Sequence, residues 1–163
     1  NGVNYPEAMN AFREYVGKYW EKTGFVTYGN HDLVILADTE KFHPSYQAPY
    51  VRQIKNRYWD YSAWLSNYVQ SDQGNPLSLE HALDLFGISF EGKAHDATDD
   101  AYNLLQLYEA SITKKDVMLA EYKKTLARMK KFPSPVKAVI ERLNNGENVS
   151  AEEYEEIIKE AIQ

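Results

Sequence analysis

The chain has 163 residues, the size of one domain, and 44% of them are hydrophobic, enough for a sizeable core and too apolar for a disordered chain. No run approaches the ~20 apolar residues that span a bilayer, and no basic start leads into an apolar stretch. Cysteine is absent, which removes disulfides, Cys-based zinc sites and thiol nucleophiles and fits a reducing cytoplasm, while a net charge of −6 argues against a coat for nonspecific nucleic-acid binding.

Pro6 opens a helix in which Ala8, Met9, Phe12, Val16 and Tyr19 recur at helical spacing, and Thr23-Gly24 is expected to end it. Phe25-Val26-Thr27-Tyr28 is a short β-rich run, and a turn at Gly29-Asn30 leads into a helix with Asp32 in its first turn. Residues 41–55 hold Pro44 and Pro49 and are expected to be irregular. Arg57–Tyr61 reads as a second strand running into a helix through Trp64, Leu65 and Tyr68. After a loop at 71–76, Leu79, Ala82, Leu83 and Leu85 make a helix that stops at Gly87. Gly92-Lys93 turns the chain into a helix over about 96–111. Met118, Tyr122, Leu126 and Met129 stripe the next helix, which Pro133 and Pro135 break. Val136, Val139, Ile140 and Leu143 continue to Asn145-Gly146. Ser150-Ala151-Glu152-Glu153 has the form of a capping box before a last helix with Tyr154, Ile157, Ile158 and Ala161 on one face.

Charge divides the chain. Residues 1–113 carry net −7, residues 114–131 net +5 and residues 132–163 net −4. We place a boundary there: an α/β portion over 1–113 and a helical extension over 114–163. The strands are too few for a complete sheet, and the start at Asn1-Gly2-Val3 has no initiator Met. Both lead us to expect a piece of a longer polypeptide.

The segment Ala94–Leu105 is the richest in chemistry. On a helical wheel Ala97, Ala101, Leu104, Leu105 and Tyr108 define an apolar face, with Asp99 and Gln106 pointing away and Asp100 at its edge. A carboxylate at that edge is partly desolvated and needs a cation or hydrogen-bond partner. The plain alternative is that Asp96, Asp99 and Asp100 favour the positive end of the helix dipole, and Asp32 invites the same explanation. His31, His43 and His81 carry nothing specific. There is no nucleophile elbow, P-loop or dinucleotide fingerprint. What remains is carboxylates near helix starts plus His95. Two-metal phosphodiester hydrolysis uses such a set: carboxylates hold two divalent ions about 4 Å apart, and a neutral His accepts a proton from water.

Two segments together resemble a known family. Thr27-Tyr28-Gly29-Asn30-His31-Asp32-Leu33 is similar to the second motif of DnaQ-like, DEDDh-type 3′–5′ exonucleases, nearest the Eri/KapD-like branch. Gly92-Lys93-Ala94-His95-Asp96-Ala97-Thr98-Asp99-Asp100-Ala101 resembles the third motif, a His followed five residues later by Asp. The resemblance covers roughly residues 5–110. It implies that Asp32 and Asp100 are metal ligands for two divalent ions, Mg²⁺ or Mn²⁺, and that His95 is the general base. It also implies an RNase H-like fold, a five-stranded mixed sheet flanked by helices, with the two strands here as its fourth and fifth. The implied substrate is a single-stranded RNA or DNA 3′ end, and no membrane is involved.

The family's first motif, Asp-x-Glu on the first strand, has no counterpart here. Asp38-Thr39-Glu40 follows the second motif and is no substitute. The missing strands are expected from the same polypeptide or a partner chain, and the 163 residues alone are expected to be inactive. Lys114, Lys115, Lys123, Lys124, Arg128, Lys130 and Lys131 form a basic helix face, read either as a phosphate-tracking surface or as an ordinary solvated face. The rival to catalysis is a non-catalytic RNase H-like module that grips nucleic acid or protein. A third alternative is a helical interaction domain with accidental motif matches.

Overall fold

Local signals in the chain place most of the elements, and packing around one tryptophan holds the first of them. In the computed structural model, which describes residues 2–162, the protein is mostly helical, with nine α-helices and one two-stranded parallel sheet among those residues. The chain forms two compact units. One runs to Leu65 and takes in Glu91–Leu104; the other comprises Ser66–Phe90 and the chain from Leu105 onward. Among the described residues no helix is long and apolar enough to cross a membrane.

In the first unit, α1 (Tyr5–Val16) starts where Asn4 accepts from the Glu7 N–H at 3.0 Å, with Pro6 in the first turn. It ends earlier than expected. Gly17, at φ 57°, closes the helix onto the Arg13 carbonyl, a conformation glycine adopts without a Cβ clash. Tyr19 therefore falls outside the buried stripe and is 61% exposed. Strand β1 (Phe25–Thr27), helices α2 (His31–Lys41) and α3 (Tyr50–Asn56), and strand β2 (Tyr58–Asp60) make a parallel crossover unit. Phe25 pairs with Tyr58, Val26 with Trp59 and Thr27 with Asp60. Helix α4 (Tyr61–Leu65) continues from β2.

The expectation of an irregular 41–55 is corrected by α3. Pro49 sits at its cap position rather than inside it, and Val51 and Ile54 bury three residues apart. Those two side chains join Met9 and Trp20 in one core cluster, against which Tyr5, Val16, Phe25, Leu33 and Leu36 pack. The fully buried Trp20 ring meets Phe12, Phe25 and Tyr50 edge-on at 5.7, 5.2 and 5.5 Å. Its Nε1 donates to Gln53 Oε1 at 2.7 Å, which removes the cost of burying the indole N–H.

The second unit holds α5 (Leu79–Leu85), the later part of α6 (Ala97–Thr113), α7 (Lys115–Arg128), α8 (Ser134–Asn144) and α9 (Ala151–Ile162). Ser78 caps α5. Helix α7 is tied down through the buried Thr125, whose hydroxyl donates to the Tyr68 carbonyl at 2.9 Å.

The face assigned to α6 needs correction. Of the five residues expected inward only Leu104 is buried; Leu105 and Tyr108 are 52% and 39% exposed, and Ala97 and Ala101 are exposed too. The buried side is Asn103, Leu104, Leu107, Ala110 and Ser111. A polar residue at its centre turned the helix against the apolar count. Gln106, expected outward, is half-buried and its Nε2 is out of reach of solvent.

Candidate functional site

Asp32 is placed by the turn between β1 and α2. Gly29, at φ 95°, donates its N–H to Asp60 Oδ1 at 3.1 Å. The Gly29 carbonyl accepts from the Tyr58 hydroxyl at 2.6 Å and from the Thr27 hydroxyl, and those two hydroxyls lie 2.8 Å apart. Side chains of both strands thus hold the turn by its donor and its acceptor. Asp32, the second residue of α2, stands exposed just beyond the carboxyl end of β1, the end at which parallel sheets present ligand sites. Burial raises the Tyr58 pKa above its usual value; the Thr27 hydrogen bond opposes this, and the charges of Asp60 and Asp32 add to it. Asp32 is therefore an electrostatic neighbour of Tyr58.

His95 lies in the loop that enters α6 and is the one non-glycine residue at positive φ, 69°, among the described residues. Histidine tolerates this region better than branched residues, yet it remains a sparsely populated conformation. The loop is braced on all sides. Asn103 Nδ2 donates to the Glu91 and Asp99 carbonyls, both at 2.8 Å, and its Oδ1 accepts from the Glu91 N–H at 3.0 Å. Asp99 folds back to accept from the Lys93 N–H at 2.8 Å. Asp96 accepts from the N–H groups of Thr98 and Asp99 at 3.0 and 3.4 Å and so acts as the helix cap.

The three acids of this first turn thus separate. Asp96 caps the helix, whereas Asp99 is spent on the loop: its carboxylate faces back to the Lys93 N–H and not away from the protein. Asp100 is half-buried, and its carboxylate makes no hydrogen bond or ion pair among the described residues. Asp32 is likewise without either, and His95 is exposed.

Asp32, His95 and Asp100 belong to the same compact unit. No hydrogen bond or ion pair joins them, and among the described residues no three His, Asp or Glu side chains converge on a point where a metal ion could sit. Asp32 and Asp100 therefore do not by themselves make a two-ion site, and no chemistry can be routed through one here. The bracing residues Thr27, Tyr58, Asp60 and Asn103 escaped the sequence reading. Asp60 at the end of a strand and Asn103 inside a helix were the signals for the last two.

The basic face in the second unit is partly spent. Lys114 donates to the Phe86 carbonyl, Lys124 pairs with Glu121 at 2.6 Å, and Arg128 pairs with Asp72 at 2.8 Å while donating to the Ser71 carbonyl. Lys123, Lys130 and Lys131 are exposed with no ion pair among the described residues. Comparison with family models, with curated proteins and with solved structures finds no match to this chain.

Proposed function

We propose that this chain carries part of a 3′–5′ exonuclease site of the DEDDh type on an RNase H-like fold, acting on single-stranded nucleic-acid 3′ ends. Asp32 and Asp100 supply two of its carboxylates, and His95 takes a proton from the attacking water. The observation that carries the reading is the Asp100 carboxylate: half-buried and without a partner among the described residues, beside Asp96, which caps the helix, and Asp99, which holds the Lys93 N–H. A partly desolvated carboxylate left unpaired is costly unless a cation completes it. The left-handed His95 points the same way, since strain of this kind gathers at functional sites.

The remaining carboxylates would come from strands added to β1, in the same polypeptide or in a partner chain. Phe25 donates to the Arg57 carbonyl at 3.0 Å, so in a parallel ladder the Val26 backbone groups face the opposite edge. Among the described residues no further strand pairs there. Parallel sheets are ordinarily covered on both faces and contain more than two strands. The cross-strand neighbours Val26 and Trp59 are instead 44% and 37% exposed.

The test begins with the intact mass and N-terminal sequence of the native polypeptide. A heavier product with an upstream Asp-x-Glu, degrading labelled single strands from the 3′ end and inactivated by Asp32→Asn, Asp100→Asn or His95→Ala, supports the reading. Mn²⁺-dependent cleavage by the 163 residues alone, abolished by Asp100→Asn, refutes the requirement for added strands. A native product that begins near Asn1 and binds 3′ ends without cutting them favours the second reading, a non-catalytic module, which fits the lack of a third converging ligand among the described residues.

A further inference from the structure

Helices α8 and α9 are strongly two-faced, yet neither buries a side chain completely. Val136, Val139, Ile140 and Leu143 of α8, with Val149 and Tyr154, line an open trough of about 360 Å³ between them. Leu143 is 50% exposed and Tyr154 41% exposed. The trough walls are apolar apart from Ser150, whose hydroxyl is taken by the Glu153 N–H, so it lacks the converging anchors that orient a small molecule.

Its walls are held in place before anything binds. Arg142 Nε pairs with Glu147 at 2.8 Å, and its Nη2 pairs with Glu153 at 2.9 Å. Glu153 accepts from the Ser150 N–H at 2.8 Å and donates its own N–H to the Ser150 hydroxyl at 3.2 Å, the reciprocal capping box. The loop between the helices is thus clasped from both sides, which lowers the ordering cost of an interaction there.

Charge selects the occupant. Helix α9 carries Glu152, Glu153, Glu155, Glu156 and Glu160 against Lys159 alone. Arg142 engages Glu153, and Lys159 pairs with Glu156 at 2.6 Å. Glu155 has no ion pair among the described residues and lies one turn from Ala151 and from Ile158, on the border of the apolar face. Residues 132–163 carry net −4, so the same hairpin of a second copy brings like charge and an anionic lipid surface is repelled. We propose that the α8–α9 trough docks an amphipathic helix of a partner protein whose apolar stripe is flanked by Lys or Arg.

The probes are two fluorescein-labelled amphipathic helical peptides, one of Leu and Lys, one of Leu and Glu, titrated with the full chain by anisotropy. The Leu/Lys peptide should bind about tenfold or more tightly than the Leu/Glu peptide, and more weakly as salt rises. Leu143→Asp, at a half-exposed position, should weaken binding about tenfold with an unchanged thermal melt. Glu155→Lys, which leaves the trough intact, should narrow the preference between the peptides. Equal affinity for both peptides, or binding indifferent to both substitutions, overturns the proposal. So does sedimentation showing that Leu143→Asp dissolves a dimer, or its abolishing cosedimentation with phosphatidylcholine–phosphatidylserine vesicles.

Discussion

Asn103 grips Glu91 by both ends of its amide, donating to the Glu91 carbonyl at 2.8 Å and accepting from the Glu91 N–H at 3.0 Å. The side chain is fully buried, twelve residues along the chain from its partner. It therefore sets where the loop bearing His95 leaves the body of the protein. Asn103→Leu removes three part-buried hydrogen bonds, each worth about 0.5–1.5 kcal/mol. We expect a loss of at least ~2 kcal/mol in urea unfolding and faster amide exchange across 91–96. A change within about 0.5 kcal/mol would place the brace elsewhere.

Gly92 is required by shape as well as by angle. It sits at φ 84°, and a Cβ there would stand 2.4 Å from the Asp99 carboxylate. Gly92→Ala must displace Asp99 from the Lys93 N–H, since both cannot occupy that space. The expected cost is about 1–3 kcal/mol from left-handed strain alone. The double variant with Asp99→Ala should lose less than the sum of the single ones, because the clash and the Lys93 hydrogen bond share one carboxylate.

Burial pushes the Tyr28 phenol up to about 12; a hydrogen bond with Ser62 opposes the shift, and Tyr61 and Asp60 add to it. A pKa higher in the folded chain than the unfolded value of 10.0 means that the native state holds the proton more tightly. The associated stability is complete below pH 10 and declines as pH rises toward about 12. Denaturant midpoints measured on both sides of pH 10 should show that decline, and Tyr28→Phe should lessen it. An identical alkaline slope in the variant would assign the effect to other tyrosines.

Signals confined to a few neighbouring residues were legible in the chain. Pro6, the Gly29-Asn30 turn, the stop at Gly87 and the Ser150 capping box all stand where the spacing predicts. Helix α3 was hidden because two prolines in fifteen residues read as breakers, while a helix of seven residues is too short to display a period. The inward side of α6 was hidden for a different reason: Asn103 counts as polar until the Glu91 backbone is found against it. The same limit applies at the candidate site. Asp32, His95 and Asp100 stand out by spacing, but the Tyr58 and Asp60 contacts that fix the Asp32 turn join residues about thirty apart and only folding reveals them.

The α8–α9 hairpin carries its own acid sensitivity. The Ser150 N–H, first, and then the hydrogen bond and charge of Arg142 hold the Glu153 carboxyl below its usual 4.5. A pKa depressed by folding contributes stability that is present above pH 4.5 and is lost as pH falls through the folded value. Amide exchange in α9 should therefore accelerate as pH falls below 4.5, after correction for the intrinsic rate, before the Trp20 core responds. Ser150→Ala, which removes the cap hydroxyl, should cost the hairpin about 1 kcal/mol at neutral pH. Arg142→Met should leave the Glu153 carboxyl closer to its usual value and shift the acid loss upward in pH. If α9 loosens at the same pH in wild type and in Arg142→Met, the clasp across the loop contributes nothing to the hairpin, and the cap alone orders it.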